Sequence, residues 1–181
     1  MGIEQVTLMP AAIAPYKPQA EDPGPHHRLE MSRLLVRGGP GLSVCDLEIE
    51  RGGPSYTVDT LREIHASHPD TELTLIAGAD TASTIAGWRE PEALLELANL
   101  AVAARGPSSR ERVLDAVSSV PRRHAAAGAR IDFLDMPAVE ISSSDVRRRA
   151  ARGEPLEELV GDAVAGYLAR HALYRAGEGG G

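Results

Sequence analysis

The feature that most constrains the fold is a pair of short, almost wholly apolar runs at positions 73–77 and 100–104. Runs of this kind are typical of strands that are covered on both faces of a parallel sheet. A helical pattern that begins at Pro91 lies between them. Because parallel strands need such a crossover, the segment predicts a βαβ unit and an α/β fold with a mostly parallel sheet.

Weaker patterns continue this alternation of strands and helices along the chain. Ser55 or Thr57 is expected to cap one helix, and Ser108 with Glu111 gives the signal of a capping box for another. The further predicted strands lie at 6–9, at 42–49 with a bulge, and at 131–134, and the further predicted helices lie at 29–37, 58–68, 108–120, 142–151 and 155–174.

Length and composition predict one domain over 1–176, followed by a disordered glycine-rich tail at 177–181. The formal net charge of −7 argues against nucleic acid or an anionic membrane as a partner. Lys17 is the only lysine among 19 basic residues, and arginine suits phosphate. A single cysteine, Cys45, and the lack of an apolar signal sequence or a long apolar run lead us to expect a cytoplasmic protein.

Polar residues follow the predicted strands where ligands of parallel sheets bind. Gly78 and Asp80 come directly after the run at 73–77. Glycine lets a ligand approach the backbone, and an aspartate can accept hydrogen bonds from ribose hydroxyls. The alternative is that Asp80 only caps the helix that follows.

A second polar cluster lies at 142–147, at the predicted start of a helix. Hydroxyls such as those of Ser142 and Ser143, beside the positive end of the helix dipole, form a phosphate cradle, which Arg147 can complete. A plain N-cap followed by exposed arginines is the equally weighted alternative.

The only tryptophan, Trp88, can stack on a flat heteroaromatic ring, or it can simply belong to the core. Thr57 and the amides that open its helix can hold a carboxylate, or they can serve only as a cap. The sequence has no G-x-G-x-x-G after a strand and no G-x-x-x-x-G-K-[ST], which argues against a dinucleotide-dependent dehydrogenase and a P-loop NTPase.

Taken in order, these segments resemble the bacterial nicotinate-nucleotide adenylyltransferases from about residue 2 to residue 174. The most specific pieces are 52–57 (GGPSYT), 78–80 (GAD) and 141–143 (ISS). The resemblance implies a Rossmann-like nucleotidyltransferase fold. It also implies adenylyl transfer from ATP to nicotinate mononucleotide, giving deamido-NAD and diphosphate, with Mg²⁺ accompanying ATP. The mononucleotide phosphate would attack the α-phosphorus directly, without a covalent intermediate.

The resemblance also assigns roles to individual residues, although it names no protein ligand for a metal. Trp88 would stack on the pyridine ring, while Thr57 and the backbone near Arg89 would hold the nicotinate carboxylate. The remaining roles are contact with a nucleotide sugar by Gly78 and Asp80, a phosphate contact by the loop lysine Lys17, and binding of the ATP phosphates by Arg105, Ser142, Ser143 and Arg147.

One departure from the family pattern is large, because the G-x-F-x-P-x-H-x-G-H motif is absent together with its strand and helix. One explanation is a shortened form of an active enzyme, and the other is a degenerate, non-catalytic homologue that binds nucleotide or a protein partner. We expect little turnover from the 181 residues, and association through unpaired strand edges. A related transferase acting on another substrate, such as phosphopantetheine, is a third interpretation, which Trp88 and the run at 54–57 disfavour.

Overall fold

The computed structural model describes residues 2–16, 22–104, 106–121, 129–134 and 141–175. The tail predicted at 177–181 lies outside these residues. In chain order the elements are β1 (Val6–Leu8), α1 (Pro25–Val36), β2 (Leu42–Val44), α2 (Leu47–Arg51), α3 (Thr57–Ser67), β3 (Thr74–Gly78), α4 (Ala79–Ala82), a 3-10 turn (Ile85–Gly87), α5 (Pro91–Leu97), β4 (Asn99–Ala103), α6 (Pro107–Ser118), β5 (Ile131–Leu134), α7 (Ser143–Ala151) and α8 (Glu157–Arg170).

The chain forms two compact units. The middle unit is Tyr56–Ala138, and the terminal unit joins Gly2–Ser55 to Val139–Gly181. The single domain expected over 1–176 stays a prediction. In the part of the chain that the structure describes, no helix is long and apolar enough to cross a membrane.

The middle unit contains a parallel sheet of three strands in the order β3-β4-β5, with Thr74 opposite Asn99 and Leu100 opposite Ile131. β4 is the middle strand, and its central residues Leu100, Ala101 and Val102 are buried as the sequence predicted. The buried core around it includes Val58, Ile85, Leu94, Leu100, Val102, Val113 and Val117, each at most 1% exposed. Each such side chain stabilises the fold by roughly 1.5–3 kcal/mol.

The prediction that β3 is buried on both faces is wrong. Among the described residues β3 pairs only with β4 and is therefore an edge strand, and Ile76 is 44% exposed. The apolar sequence reports only which residues tolerate burial, whereas the elements that pack against a strand determine how much of it is covered.

The terminal unit contains a parallel pair of strands, in which Val6 of β1 lies opposite Leu42 of β2. Its second core cluster lies around α8 and includes Leu156, Val164 and Leu168, against which Met31 of α1 packs. α1 and α8 contact each other, because α1 presents Met31 and Leu34 to this cluster.

One arginine joins two parts of the terminal unit that are distant in sequence. Arg28 of α1 donates hydrogen bonds to the carbonyl oxygens of Ala11 and Ala12 (3.0 Å to Ala12) in the loop after β1. Its Nε also donates to Asp22 Oδ1, at 3.0 Å. The buried Ser55 accepts the N–H of Ala12 at 2.9 Å, which fixes the same loop from another side.

The predicted strand at 42–49 is only partly correct. The strand ends at Val44, and Leu47–Arg51 forms the helix α2. Glu48 and Glu50 lie in the first turn of α2, where the helix dipole favours negative charge. This local preference outweighs the apolar alternation on which the strand prediction rested.

Two predicted caps are also wrong, and one is confirmed. Tyr56 occupies the N-cap of α3 without a side-chain bond, so neither Ser55 nor Thr57 caps it. α6 begins at Pro107 rather than after a capping box at Ser108, because proline is already suited to the first helical position. Ser142 does cap α7, and its hydroxyl accepts the N–H of Asp145 at 3.1 Å.

Candidate active site

The carboxyl end of β3 carries the first group of candidate residues. Gly78 ends the strand, and Asp80 follows in α4 with its side chain 92% exposed. The Asp80 carboxylate does not cap α4, which has no side-chain cap. It accepts instead a hydrogen bond of 3.2 Å from Arg112 Nη2. An exposed pair of this kind is weak, so a ligand hydroxyl can take over the carboxylate at little cost.

Trp88 follows the 3-10 turn and is half-buried, packing against the core of the middle unit. Its indole Nε1 donates a hydrogen bond to Thr84 Oγ1 at 3.0 Å. The core alternative is therefore correct in part, because one part of the ring is covered by protein. The part of the Trp88 side chain that stays exposed leaves room for a planar ligand.

At the N-terminus of α3, the donors of Thr57 have no acceptor among the described residues. Thr57 is the first helical residue, and α3 has no side-chain cap. Among the described residues, neither the hydroxyl nor the amide of Thr57 has a hydrogen-bond partner. Such a helix start attracts an anion, because its amides and the helix dipole both present positive charge.

Arg89 places the segment after Trp88 against this helix start. Its guanidinium lies 4.6 Å from the centroid of the Tyr56 ring, and its Nη1 lies 3.6 Å from Asp59 Oδ2. The backbone N–H of Arg89 has no acceptor among the residues that the structure describes. The structure thus brings Thr57, Trp88 and Arg89 into one region of the middle unit.

The N-terminus of α7, in the terminal unit, carries the other predicted cluster. Ser142 caps the helix, so the plain-cap alternative describes that residue, whereas Ser143 is exposed and its hydroxyl has no partner in the described chain. Arg147 Nη2 donates to Ser144 Oγ at 3.2 Å and so lies over the first turn. Arg148 and Arg149 each form an ion pair with Asp145.

Two predicted site residues, Lys17 and Arg105, lie outside the described residues. Sequence reasoning missed Glu90, two residues after Trp88, and its partner Arg62, which form an ion pair with N–O distances of 2.6 and 3.0 Å. They are 28 positions apart, so no local pattern connects them.

Comparison with known proteins agrees with this architecture. A family model described as cytidylyltransferase-like matches residues 14–149. Two solved structures of Plasmodium falciparum nicotinic acid mononucleotide adenylyltransferase, one complexed with APC and one with NaAD, superpose with TM-scores of 0.67 and 0.68. Each match covers 94% of this chain and 82% of the other, at 16% and 18% identity, which shows the fold. Fold and family model together define a Rossmann-like nucleotidyltransferase.

Relatives that are more similar in sequence identify the family within this class. A protein of Salinibacter ruber is 38% identical over 96% of this chain and 84% of its own length. A protein of Symbiobacterium thermophilum is 36% identical over 98% of this chain and 84% of its own. Both are named as probable nicotinate-nucleotide adenylyltransferases. The chain belongs to the nicotinate-nucleotide adenylyltransferase family, a family of enzymes, and the comparisons give no support to a non-catalytic homologue.

Proposed function

We propose that the chain transfers the adenylyl group of ATP to nicotinate mononucleotide. A phosphate oxygen of the mononucleotide attacks the α-phosphorus of ATP, the bond from that phosphorus to the bridging oxygen breaks, and diphosphate leaves with the electron pair. The product is deamido-NAD. Because no group of the protein becomes covalently attached, its contribution is to position the reactants and to stabilise charge at the transferring group.

The observation that carries this proposal is the combination of an indole with open hydrogen-bond donors in one region. Trp88 offers a ring face for a pyridine, and the Thr57 hydroxyl and amide and the Arg89 amide lack acceptors among the described residues. A ring that bears a carboxylate satisfies both features, since the ring can stack while its oxygens accept the donors. A carboxamide carries no charge and gains less from the helix dipole, so the region favours nicotinate over nicotinamide.

The phosphates of ATP are assigned to the start of α7. The Ser143 hydroxyl and the Arg147 guanidinium can donate to phosphate oxygens there, and Ser142 holds the helix end in shape. Lys17 and Arg105 are proposed as further phosphate ligands from the sequence resemblance alone. Asp80, beside Gly78, would exchange its contact with Arg112 for a sugar hydroxyl.

Mg²⁺ belongs to this proposal as a companion of ATP rather than as a resident metal. Within the described residues, no three His, Cys, Asp or Glu side chains form a group that could hold a metal ion. Phosphate oxygens of ATP and water molecules would be ligands of the ion, as is usual for Mg²⁺ that is bound together with a nucleotide. We also propose a cytoplasmic location, to which the single cysteine is suited.

The test uses the fluorescence of Trp88 to follow ligand binding and substitutions of Trp88 to measure its contribution to product formation. Nicotinate mononucleotide should quench the fluorescence of the single tryptophan. With enzyme in excess over substrate, mass spectrometry should detect deamido-NAD when both Mg·ATP and nicotinate mononucleotide are present. Trp88→Phe, which keeps an aromatic face, should retain product formation, whereas Trp88→Ala should reduce it roughly 5- to 150-fold because one stacking contact is worth about 1–3 kcal/mol.

A matched control for these variants is Arg130→Gln, which removes a surface ion pair with Asp132 beside β5. Its product formation should equal that of the unaltered chain. Equal activity of Trp88→Ala and the unaltered chain, or a preference for nicotinamide mononucleotide, would contradict the assigned nicotinate site.

A further inference from the structure

Glu90 has an unusual backbone conformation immediately after Trp88 and Arg89. Its φ and ψ are 47° and 57°, in the left-handed region, and it forms the N-cap of α5. An L-residue with a Cβ is strained there, whereas glycine adopts the same angles freely. Strain of this kind persists where surrounding contacts enforce it, and it is concentrated at binding sites.

The side chain of Glu90 forms a two-bond ion pair with Arg62. Arg62 Nη1 donates to Glu90 Oε1 at 3.0 Å, and Arg62 Nη2 donates to Glu90 Oε2 at 2.6 Å. Two parallel bonds fix the orientation of the carboxylate as well as its distance. Arg62 in turn lies 3.8 Å from Asp59 on the same helix.

The neighbouring residue Arg89 is held to the same face of α3. It stacks over Tyr56 and lies 3.6 Å from Asp59. Tyr56, Asp59 and Arg62 are spaced three apart, so they form one line along the helix. That line contacts both residues that follow Trp88, while the Trp88 indole is bonded to Thr84.

We propose that Glu90 and Arg62 are positioning residues for the nicotinate site, and that their ion pair holds the 88–90 segment so that the Trp88 ring and the Arg89 amide are arranged before the ligand arrives. This inference rests on the proposed function. It assigns to two residues outside the ligand contacts a role in the affinity for the pyridine nucleotide.

The pair should affect binding more than folding. Both side chains are nearly half exposed, at 45% and 47%, and exposed ion pairs add little to global stability. If the binding-competent arrangement is populated only in part, however, the apparent dissociation constant rises in inverse proportion to that population. We expect loss of the pair to raise the dissociation constant for nicotinate mononucleotide by about three- to tenfold.

The decisive variant is Glu90→Gly, because glycine relieves the backbone strain while it removes the carboxylate. Its melting temperature should therefore not fall. A second variant, Arg62→Gln, removes the other partner and leaves Glu90 in place. The control is Arg130→Gln, which removes another exposed arginine–carboxylate ion pair, with a single bond of 2.7 Å to Asp132.

Two fluorescence measurements on the full chain test the proposal. Without ligand, acrylamide should quench Trp88 more strongly in Glu90→Gly and Arg62→Gln than in the unaltered chain and the control. Titration should then give a three- to tenfold higher dissociation constant for nicotinate mononucleotide and an unchanged one for Mg·ATP. Glu90→Gln, which removes the charge but keeps the side chain, should show the same effects as Arg62→Gln, and combining these two changes should add little, since they remove the same pair.

The outcomes distinguish failure of the positioning role from failure of the proposed function. Acrylamide quenching that is unchanged in both variants overturns the positioning role, whether or not the ligand binds. If the unaltered chain shows no response to nicotinate mononucleotide, the proposed function fails, while the ligand-free comparison still decides whether the pair orders Trp88. Weaker binding of nicotinate mononucleotide and of Mg·ATP to the same degree would also overturn the inference, because general loosening would explain it.

Discussion

The guanidinium of Arg89 lies 4.6 Å from the centroid of the Tyr56 ring, at the residue that precedes Thr57. A cation over an aromatic face contributes about 0.5–1 kcal/mol at an exposed site. The position of this contact matters more than its energy, because it holds the segment after Trp88 next to the open start of α3. A site for a ring that bears a carboxylate needs both the segment after Trp88 and the start of α3.

Removing the Thr57 hydroxyl should weaken recognition of the carboxylate. Thr57→Val keeps the shape of the side chain, so folding should be unaffected. A lost hydrogen bond to a charged ligand costs about 1.5–3 kcal/mol, which corresponds to a rise of roughly 10- to 100-fold in KM for nicotinate mononucleotide. The exposed Thr71→Val provides the control. An unchanged KM in steady-state assays would show that Thr57 does not contact the ligand.

Arg147 and Arg148 are adjacent arginines that should behave differently. Arg147 reaches back to Ser144 at the start of α7, whereas Arg148 is engaged with Asp145. Arg147→Ala should lower kcat/KM for ATP at least tenfold, because it removes a charge-assisted phosphate contact. Arg148→Ala should change it by less than about twofold. Equal losses in both variants would indicate a general effect of positive charge rather than a specific ligand.

The carboxyl of Asp22 should make stability depend on pH. Burial raises its pKa, but the hydrogen bond from Arg28, the N–H of Gly24 and the charge of Arg28 together outweigh that effect and hold the pKa below the usual 3.8. A lowered pKa in the folded state means that the contribution is present above about pH 4 and is lost as pH falls through the folded value. Asp22→Asn should therefore be less stable than the unaltered chain at pH 7, and the difference should vanish in strong acid.

Urea denaturation at several pH values measures this effect. The exposed Asp70→Asn is a suitable control, because the structure shows no ion pair for Asp70 among the described residues. A difference between Asp22→Asn and the unaltered chain that is constant from pH 7 down to pH 2 would refute the assignment.

The edge position of β3 predicts self-association. Ile76 is 44% exposed on a strand that has an unpaired side among the described residues, and such edges invite pairing with another chain. Ile76→Lys should lower light scattering and shift sedimentation toward the monomer, since a charged edge residue opposes pairing. The exposed Leu114→Lys on α6 controls for added charge alone. If both substitutions reduce association equally, the strand edge is not responsible.

The elements that the sequence predicted well are those with strong local signals. After Asn99, β4 consists of apolar residues only, α5 begins at a proline, and α7 is capped by Ser142. The prediction of a strand after Val44 was wrong because helical preference and apolar alternation conflict there. Local information was also insufficient for β3, whose coverage depends on other segments.

The candidate site shows the same difference between residues that local motifs identify and contacts that join distant parts of the sequence. Thr57, Asp80 and Trp88 were found because each stands in a recognisable local motif, and their ligand roles remain predictions. The Arg62–Glu90 pair and the contacts of Arg28 with Ala11 and Ala12 join residues 16 to 28 positions apart. Such contacts depend on how the helices pack, which no short window of sequence contains.

The contacts of Arg28 have a consequence for how this chain tolerates insertions. A single guanidinium binds the carbonyl oxygen of Ala12 and the carboxylate of Asp22, so the Arg28 side chain sets the distance between these two residues. Lengthening the intervening stretch would then cost only the entropy of a larger ring, about 0.6 kcal/mol for each doubling. An insertion there would leave both contacts of Arg28 in place but would displace Lys17, so folding should tolerate it better than adenylyl transfer does.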